Sequence, residues 1–332
     1  IAANIAETAI LGVDGCFPDS VVGFIADPGK SDVRFIKYYI DTIKLQMQGV
    51  SKGTTQDNLS LDKLLTFDFR VPALPLQRRI ADILSAYDEL IENSQRRIRI
   101  LESMARALYR EWFVHFRFPG HETHPRVPSP LGNIPKGWEV NKLGDLTAYL
   151  NRGLSPSYDE NGDSMVINQK CVRDQRLSLE PARRQTKPIP PNKQVRFGDV
   201  LINSTGVGTL GRVAQVYQTL DSCTVDTHVT IARANSETDL DFFGCTLLAQ
   251  QETFDRLGIG ATGQTELSRT SIANVDLVVP PSRIQNRFGV IVRPIRMAAI
   301  THAKQIQNLS RTRDLLLPRL LSGQVELKTE AA

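Results

Sequence analysis

Between Leu74 and Trp112, apolar side chains recur at Leu76, Ile80, Ile83, Tyr87, Leu90, Ile98, Leu101, Met104 or Ala105, and Leu108. The steps alternate four and three, the period of a coiled-coil seam. No glycine interrupts the run, and Pro75 falls in the first turn, where its missing N–H costs nothing. The pattern predicts one helix on the order of 55 Å long. A helix of that length cannot bury its seam alone and needs a partner of similar length.

The sequence supplies one 208 positions later: Leu76 maps onto Ile284, Ile80 onto Phe288, Ile83 onto Ile291, Tyr87 onto Ile295, Ile98 onto Ile306, Leu101 onto Leu309 and Leu108 onto Leu316. Upstream, Gln56, Leu59, Ser60, Asp68, Val71, Pro72, Gln77 and Arg79 are identical to Gln264, Leu267, Ser268, Asp276, Val279, Pro280, Gln285 and Arg287 in the same register. The chain therefore reads as an imperfect tandem repeat. Both seams lose their apolar residue at Ser94/His302 and at Arg97/Gln305. Polar layers there would fix register, or Ile98 and Ile306 fill the seam instead.

The remaining pattern places elements around these helices. Residues 1–35 alternate short apolar runs with turn residues and predict strands. Helices are expected over Asp32 to Val50 and Leu240 to Leu257. Each is followed by a Gly/Thr/Gln loop, GTTQDNLS or GATGQTELS, and then a strand-like run ending in Val-Pro. Proline-rich residues 119–135 predict a linker, and Pro294 predicts a kink or a delayed start in the second long helix. The expected organisation is a first globular domain over 1–73, a helix region over 74–118 and the linker. A second domain follows over 136–281, then a helix region over 282–325 and a tail over 326–332. The second domain starts near Leu131. Its counterpart would begin roughly 75 to 80 residues before Ile1, so the first domain is read as lacking its front.

Composition narrows the class without fixing it. The chain has 332 residues, 41% hydrophobic and 23% charged, with net charge +4 and a pI near 8.9. That balance suits two globular domains and permits, without demanding, nucleic-acid binding. Cys16, Cys171, Cys223 and Cys245 lack metal or disulfide spacing and fit a reducing compartment, so a cytoplasmic protein is expected. No apolar run of membrane-spanning length and no secretory signal peptide is visible.

Candidate catalytic motifs fail on context. Gly206 to Gly211 fits G-x-G-x-x-G, but the following RVAQVYQ alternates like a strand, whereas a dinucleotide loop opens a helix. A glycine-rich hairpin is expected, either a plain turn or one whose N–H groups approach a phosphate. His115, His121 and His124 lack metal-site spacing. Pro190-Pro191 and Pro280-Pro281 are not preceded by Asn, so the Asn-Pro-Pro-aromatic site of an amino-methyltransferase is missing. No ATP-binding glycine loop is present. Glu326-Leu327-Lys328 resembles a nuclease fragment without its acidic partner.

The order of motifs carries a resemblance. A β-rich domain, a Gly/Thr/Gln loop, a strand, a proline pair with Gln and Arg, and a long helix occur twice, as VPALPLQRRIADIL and VPPSRIQNRFGVI. The opening IPKGWEVNKLGDL and the segment FGDVLINSTGVGTLGRV complete the set. Together they resemble the specificity subunit of type I restriction–modification systems. The second helix departs from the usual PP-x-x-EQ by carrying Ile284-Gln285.

The resemblance implies an α+β protein: β-rich target recognition domains separated by a pair of long antiparallel coiled-coil helices, in a pseudo-twofold tandem repeat. Each domain would read one half of a bipartite double-stranded DNA target, and two methyltransferase subunits would dock on the helices. Motor-nuclease subunits could join. S-adenosylmethionine, ATP and Mg would sit on those partners, with no cofactor, metal or catalysis in this chain. Two other readings remain open at the level of sequence: a repeat-built protein-binding scaffold without DNA contact, and a fragment of a fused restriction enzyme.

Candidate DNA contacts are loop residues with the chemistry of groove and phosphate recognition. They are Arg152, Ser155 and Tyr158; Asn168, Gln169 and Lys170; Asn203, Ser204, Thr205 and Arg212; and Thr262, Gln264 and Thr265. Gln264, matched by Gln56, suits backbone contact or bracing more than base discrimination. Arg152 and Lys170 lie where the two halves diverge. Arg78, Arg79, Arg96, Arg99 and Arg106 crowd the non-seam faces of the first helix. They form a solvated face or a partner-docking surface.

Overall fold

A computed structural model describes residues 5–51, 59–69, 71–258, 265–325 and 327. The chain opens with α1 (Val33–Ser51), α2 (Leu61–Leu65) and α3 (Leu74–Tyr109). Strands β1 (Arg126–Ser129), β2 (Gly132–Pro135), β3 (Glu139–Lys142), β4 (Thr147–Arg152), β5 (Ser164–Ile167), β6 (Val172–Arg173) and β7 (Arg176–Leu177) follow. Then come β8 (Arg183–Gln185), β9 (Val200–Asn203), β10 (Val213–Gln215), β11 (Cys223–Val225) and β12 (Val229–Ala234). Helices α4 (Leu240–Ala249), α5 (Gln251–Arg256) and α6 (Arg269–Ala273) precede β13 (Asp276–Val279) and α7 (Ser282–Leu321). The fold is mixed α+β. It divides into two units, 1–97 with 301–332, and 98–300, and both divisions fall inside a long helix.

In the first unit, Phe35, Ile36 and Tyr38 of α1 share a core with Ile80, Ala81 and Leu84 of α3 and with Leu317 and Leu320 of α7. Further along, Asp88 of α3 pairs with Arg313 of α7. As α3 ascends from 80 to 88, α7 descends from 320 to 313, so the two helices run antiparallel here.

The second unit is built on the antiparallel sheet β10-β9-β12-β4. Strand β9 is buried throughout, because both faces of the sheet are covered. Val200 and Ile202 meet Phe242, Phe243, Phe288, Trp112 and Phe113 on one face. Leu201 meets Ile167, Val225 and Ile231 on the other, as strand alternation requires. The sheet β11-β5-β8 covers that second face, with β11 parallel to β5. At the end of α3, Trp112 and Phe113 lie 5.8 and 4.8 Å from the Phe288 ring of α7.

Several expectations need correction. No strand forms among the described residues before β1; residues 5–32 are irregular ahead of α1, with Ile10, Leu11, Phe17, Phe24 and Ile25 exposed. A strand needs a neighbour to satisfy its backbone, and no described strand lies beside this one. Likewise Asp68, which maps onto the start of β13, lies in irregular chain, whereas β13 is paired with β3. The expected linker at 119–135 contains the hairpin β1–β2, whose Ile134 is buried. Helix α7 runs unbroken from Ser282 through Pro294. The carbonyl that loses its donor belongs to Val290, an exposed residue that solvent can reach.

The seam also shifts. The line Ile80, Tyr87, Ser94, Leu101 and Leu108 is as predicted, each buried or half-buried. The other line is Gln77, Leu84, Ile91, Ile98 and Ala105, all buried; Ile98 and Ala105 are among the predicted positions, whereas Gln77, Leu84 and Ile91 lie one residue on from Leu76, Ile83 and Leu90. Leu90 is 53% exposed and Ile91 9%. In α7 the same displacement buries Gln285, Val292 and Ala299 and leaves Ile291 exposed. Ser94 thus belongs to the buried stripe, Arg97 lies outside it, and Ile98 fills the seam.

Candidate nucleic-acid interface

Three strand ends meet at one edge of the four-stranded sheet. Thr230 at the start of β12 pairs with Arg152 at the end of β4, and Val229 pairs with Asn203 at the end of β9. The loops that leave these ends are therefore neighbours. Gly153 makes the first turn possible, since a Cβ there would stand 1.7 Å from the Val225 carbonyl oxygen. The segment Gly206 to Gly211 is a turn between antiparallel β9 and β10, as the alternation of RVAQVYQ predicted. Gly206, Gly208 and Gly211 all take positive φ. With no helix after it, this loop is not a dinucleotide fingerprint.

Fixed polar bonds tie these loops together. Arg152 donates to the Leu267 carbonyl at 3.2 Å and pairs with Glu266 at 2.7 Å. Ser204 is fully buried, its hydroxyl 2.6 Å from that of Thr230, and its carbonyl accepts from the Leu267 N–H. Asn203, also buried, donates to the Gln169 carbonyl at 2.9 Å. Asn168 accepts from the Lys170 N–H and donates to the Pro181 carbonyl. These side chains brace the edge. The Oε1 of Gln169 and the Oδ1 of Asn203 are buried without a partner among the described residues.

Other candidates keep donors or rings toward solvent. Thr205 meets the Nδ1 of His228 at 2.7 Å, and the His228 ring is exposed. Among the described residues the Arg212 guanidinium bonds the Gly208 carbonyl, at 2.7 Å. Ser155 and Lys170 are exposed, and Thr265, beside Glu266, is half-buried. Tyr158 is exposed, and the Arg183 guanidinium lies 3.7 Å from its ring centroid. Burial and then the charge of Asp226 push the Tyr158 phenol up. Burial also raises the Asp226 carboxyl, against the pull of the His228 N–H. Thr262, Gln264 and Gln56 lie outside the described residues, as do Glu326 and Lys328.

Sequence reasoning missed His228, Glu266 and Arg183. Their partners are 23, 114 and 25 positions away along the chain (205 to 228, 152 to 266, 158 to 183), and strand register alone brings them close. On α3, Arg78, Arg79, Arg96, Arg99 and Arg106 are all exposed. Arg96 and Arg106 pair with Glu92 and Glu102 at 3.5 and 4.0 Å. Such surface pairs contribute at most about 1 kcal/mol and leave the arginines available. His121 and His124 bond the carbonyls of Phe118 and Lys136. Among the described residues no group of three or more His, Cys, Asp or Glu could hold a metal ion, and no helix is long and apolar enough to cross a membrane.

Comparison with known proteins agrees with this architecture. Residues 1–103 and 135–310 match the family model described as the type I restriction modification DNA specificity domain. The MjaIX specificity subunit of Methanocaldococcus jannaschii is 25% identical over 307 residues, 90% of this chain and 70% of that protein. The HindI specificity subunit of Haemophilus influenzae is 21% identical over 349 residues, covering 84% of this chain and 74% of that one. In fold, the chain is similar to the crystal structure of the type I restriction–modification S subunit from M. genitalium, with TM-score 0.54, 18% identity, and 89% and 74% coverage. The chain belongs to the type I restriction–modification DNA specificity family, and is the DNA specificity subunit, the non-catalytic component, of such a complex.

Proposed function

We propose that this subunit reads a bipartite double-stranded DNA target through two recognition domains related by a pseudo-twofold tandem repeat. Residues 1–73 and 136–281 are the reading parts; the helix regions 74–118 and 282–325 form an antiparallel coiled coil that sets the unspecified spacer. Two methyltransferase subunits dock on the helices through Arg78, Arg79, Arg96, Arg99 and Arg106, and motor-nuclease subunits join the same assembly. S-adenosylmethionine, ATP and Mg belong to those partners, and the complex works in the cytoplasm. At the sheet edge, Ser155, Tyr158, Lys170, Thr205, Arg212 and Thr265 face the DNA, while Arg152, Asn168, Gln169, Asn203 and Ser204 hold the loops in place.

The observation that carries this reading is a recurring set of bonds. Gln77 accepts from the Asp32 N–H and donates to the Pro72 carbonyl; Gln285 accepts from the Asp239 N–H and donates to the Pro280 carbonyl. Asp32 caps α1 through Arg34 and Phe35, and Asp239 caps α4 through Asp241 and Phe242. Ser60 and Ser268 cap α2 and α6 in the same way. This recurrence of bonds supports the reading of two related domains.

Methylation sequencing of cells carrying the system tests the proposal. A split motif with a fixed spacer is expected; a continuous motif overturns the bipartite reading. In the same assay, Arg99→Glu with Arg106→Glu should abolish methylation and co-purification of the methyltransferase while leaving the far-ultraviolet circular dichroism unchanged. Undiminished co-purification removes the docking assignment.

A further inference from the structure

The arginines of the β-rich region are mostly spoken for. Between β3 and β13, carboxylates hold Arg152, Arg173, Arg176 and Arg233, and Asn151 holds Arg269. Backbone carbonyls hold Arg184, Arg196, Arg212 and Arg256. Arg183 differs. Among the described residues its guanidinium forms neither a hydrogen bond nor an ion pair. It lies 3.7 Å from the centroid of the Tyr158 ring, a stacking distance.

Both residues are fixed by backbone. Arg183 sits on β8, the edge strand of its sheet, and pairs with Val166 of β5. Tyr158 bridges Gln185 of the same strand, and the Thr186 N–H bonds the Ser157 carbonyl. The loop carrying Tyr158 leaves the end of β4 at Gly153, where Lys193 donates to the Gly153 carbonyl at 2.6 Å. Tyr158 thus stands on a loop that starts at the edge where β4, β9 and β12 end, and Arg183 on the strand that this loop bridges. Lys187 and Arg184 are exposed nearby on the chain, as are Asp159, Glu160 and Asp163, so the surface carries both signs of charge.

Stacking fixes the plane of a guanidinium and leaves its N–H edge free. A planar fork held in advance loses less freedom on forming two parallel hydrogen bonds. The acceptor pair that matches it in the major groove is O6 and N7 of guanine. Resting on the DNA-reading role argued above, we propose that Arg183 is a guanine-reading, specificity-determining residue of the second recognition domain, with Tyr158 as the positioning residue that sets its plane. The sequence gives no local sign of this, since neither residue lies in a recognisable motif and the stack joins a loop to a strand 25 positions on.

The test uses the assembled methyltransferase and a panel of single-base variants of its target, at two salt concentrations. Arg183→Ala should weaken binding to the cognate site roughly ten- to hundredfold and erase preference at one guanine of one half-site. The slope of affinity against salt should stay as in the wild type. Arg183→Lys should lose part of the same discrimination, because a flexible ammonium has no plane for the Tyr158 ring to set. Tyr158→Phe, which keeps the ring, should retain it, and Tyr158→Leu should reduce it. If Arg183→Ala does not assemble, Arg183→Gln carries the same comparison. An even loss across all variants with a shallower salt slope would make Arg183 a phosphate contact and overturn the proposal, as would unchanged binding. A wild-type complex without base preference at any position would instead overturn the DNA reading itself, and this assignment with it.

Discussion

At Gly211 a side chain has nowhere to go. Its φ is +76°, and a Cβ would lie 2.5 Å from the Asp255 nitrogen at the end of the packed α5. Gly208 shares the positive φ, at +69°, but has nothing within 4 Å. Gly208→Ala should therefore cost only about 1 kcal/mol of left-handed strain. Gly211→Ala should cost on the order of 3 kcal/mol, since backbone must also move. Urea unfolding of the two variants measures the difference, and equal losses would show that the Asp255 contact does not matter. The same scale explains why candidate contacts were only partly legible. Arg152, Asn203 and Ser204 carry the right chemistry for a DNA edge, and sequence lists what a side chain can donate. It does not list what already occupies it. Glu266, Gln169 and Thr230 do so here, and each arrives from a distant segment by register.

At the scale of elements, one set of bonds occurs twice. Gln77 and Gln285 are nearly fully buried, and each joins the start of a long helix to the capped start of an earlier one, α1 or α4. Replacing either by alanine strands an N–H and a proline carbonyl, and for Gln77 the Lys30 carbonyl as well. Gln77→Ala and Gln285→Ala should each destabilise by about 1–3 kcal/mol, by similar amounts. A large loss for one and none for the other, seen in denaturant midpoints, would break the equivalence. The period of the long helices was visible in sequence, but part of the seam was misplaced. Leu76 is more apolar than Gln77, but Ile83 and Leu90 match Leu84 and Ile91 in size and polarity, so a pattern that scores side chains has no reason to prefer the residue one step on. Packing chose that residue, because Gln77 is satisfied by backbone and small Ala105 admits Tyr109 and Phe113 beside it in the core.

For the whole molecule, the buried line at Gln77, Leu84, Ile91, Ile98 and Ala105 recurs every seven residues. Seven residues inserted between Ser94 and Ile98, matched by seven between His302 and Ile306, keep that line in phase and lengthen each helix by roughly 10 Å. The recognised spacer should lengthen by roughly three base pairs, with both half-sites unchanged. Methylation sequencing reads the result, and altered half-sites would refute the helices as the ruler. Sequence alone determined the two long helices, the glycine hairpin and the family. These follow from local period, turn chemistry and motif order, which survive without knowledge of neighbours. It did not determine whether residues 1–35 pair, whether 119–135 is a linker or a hairpin, or which arginine is free. A strand exists only where a neighbour completes its ladder, and a guanidinium is held where a buried carboxylate or a carbonyl reaches it. Both conditions are set by segments far apart in the chain, so only the tertiary structure could decide them.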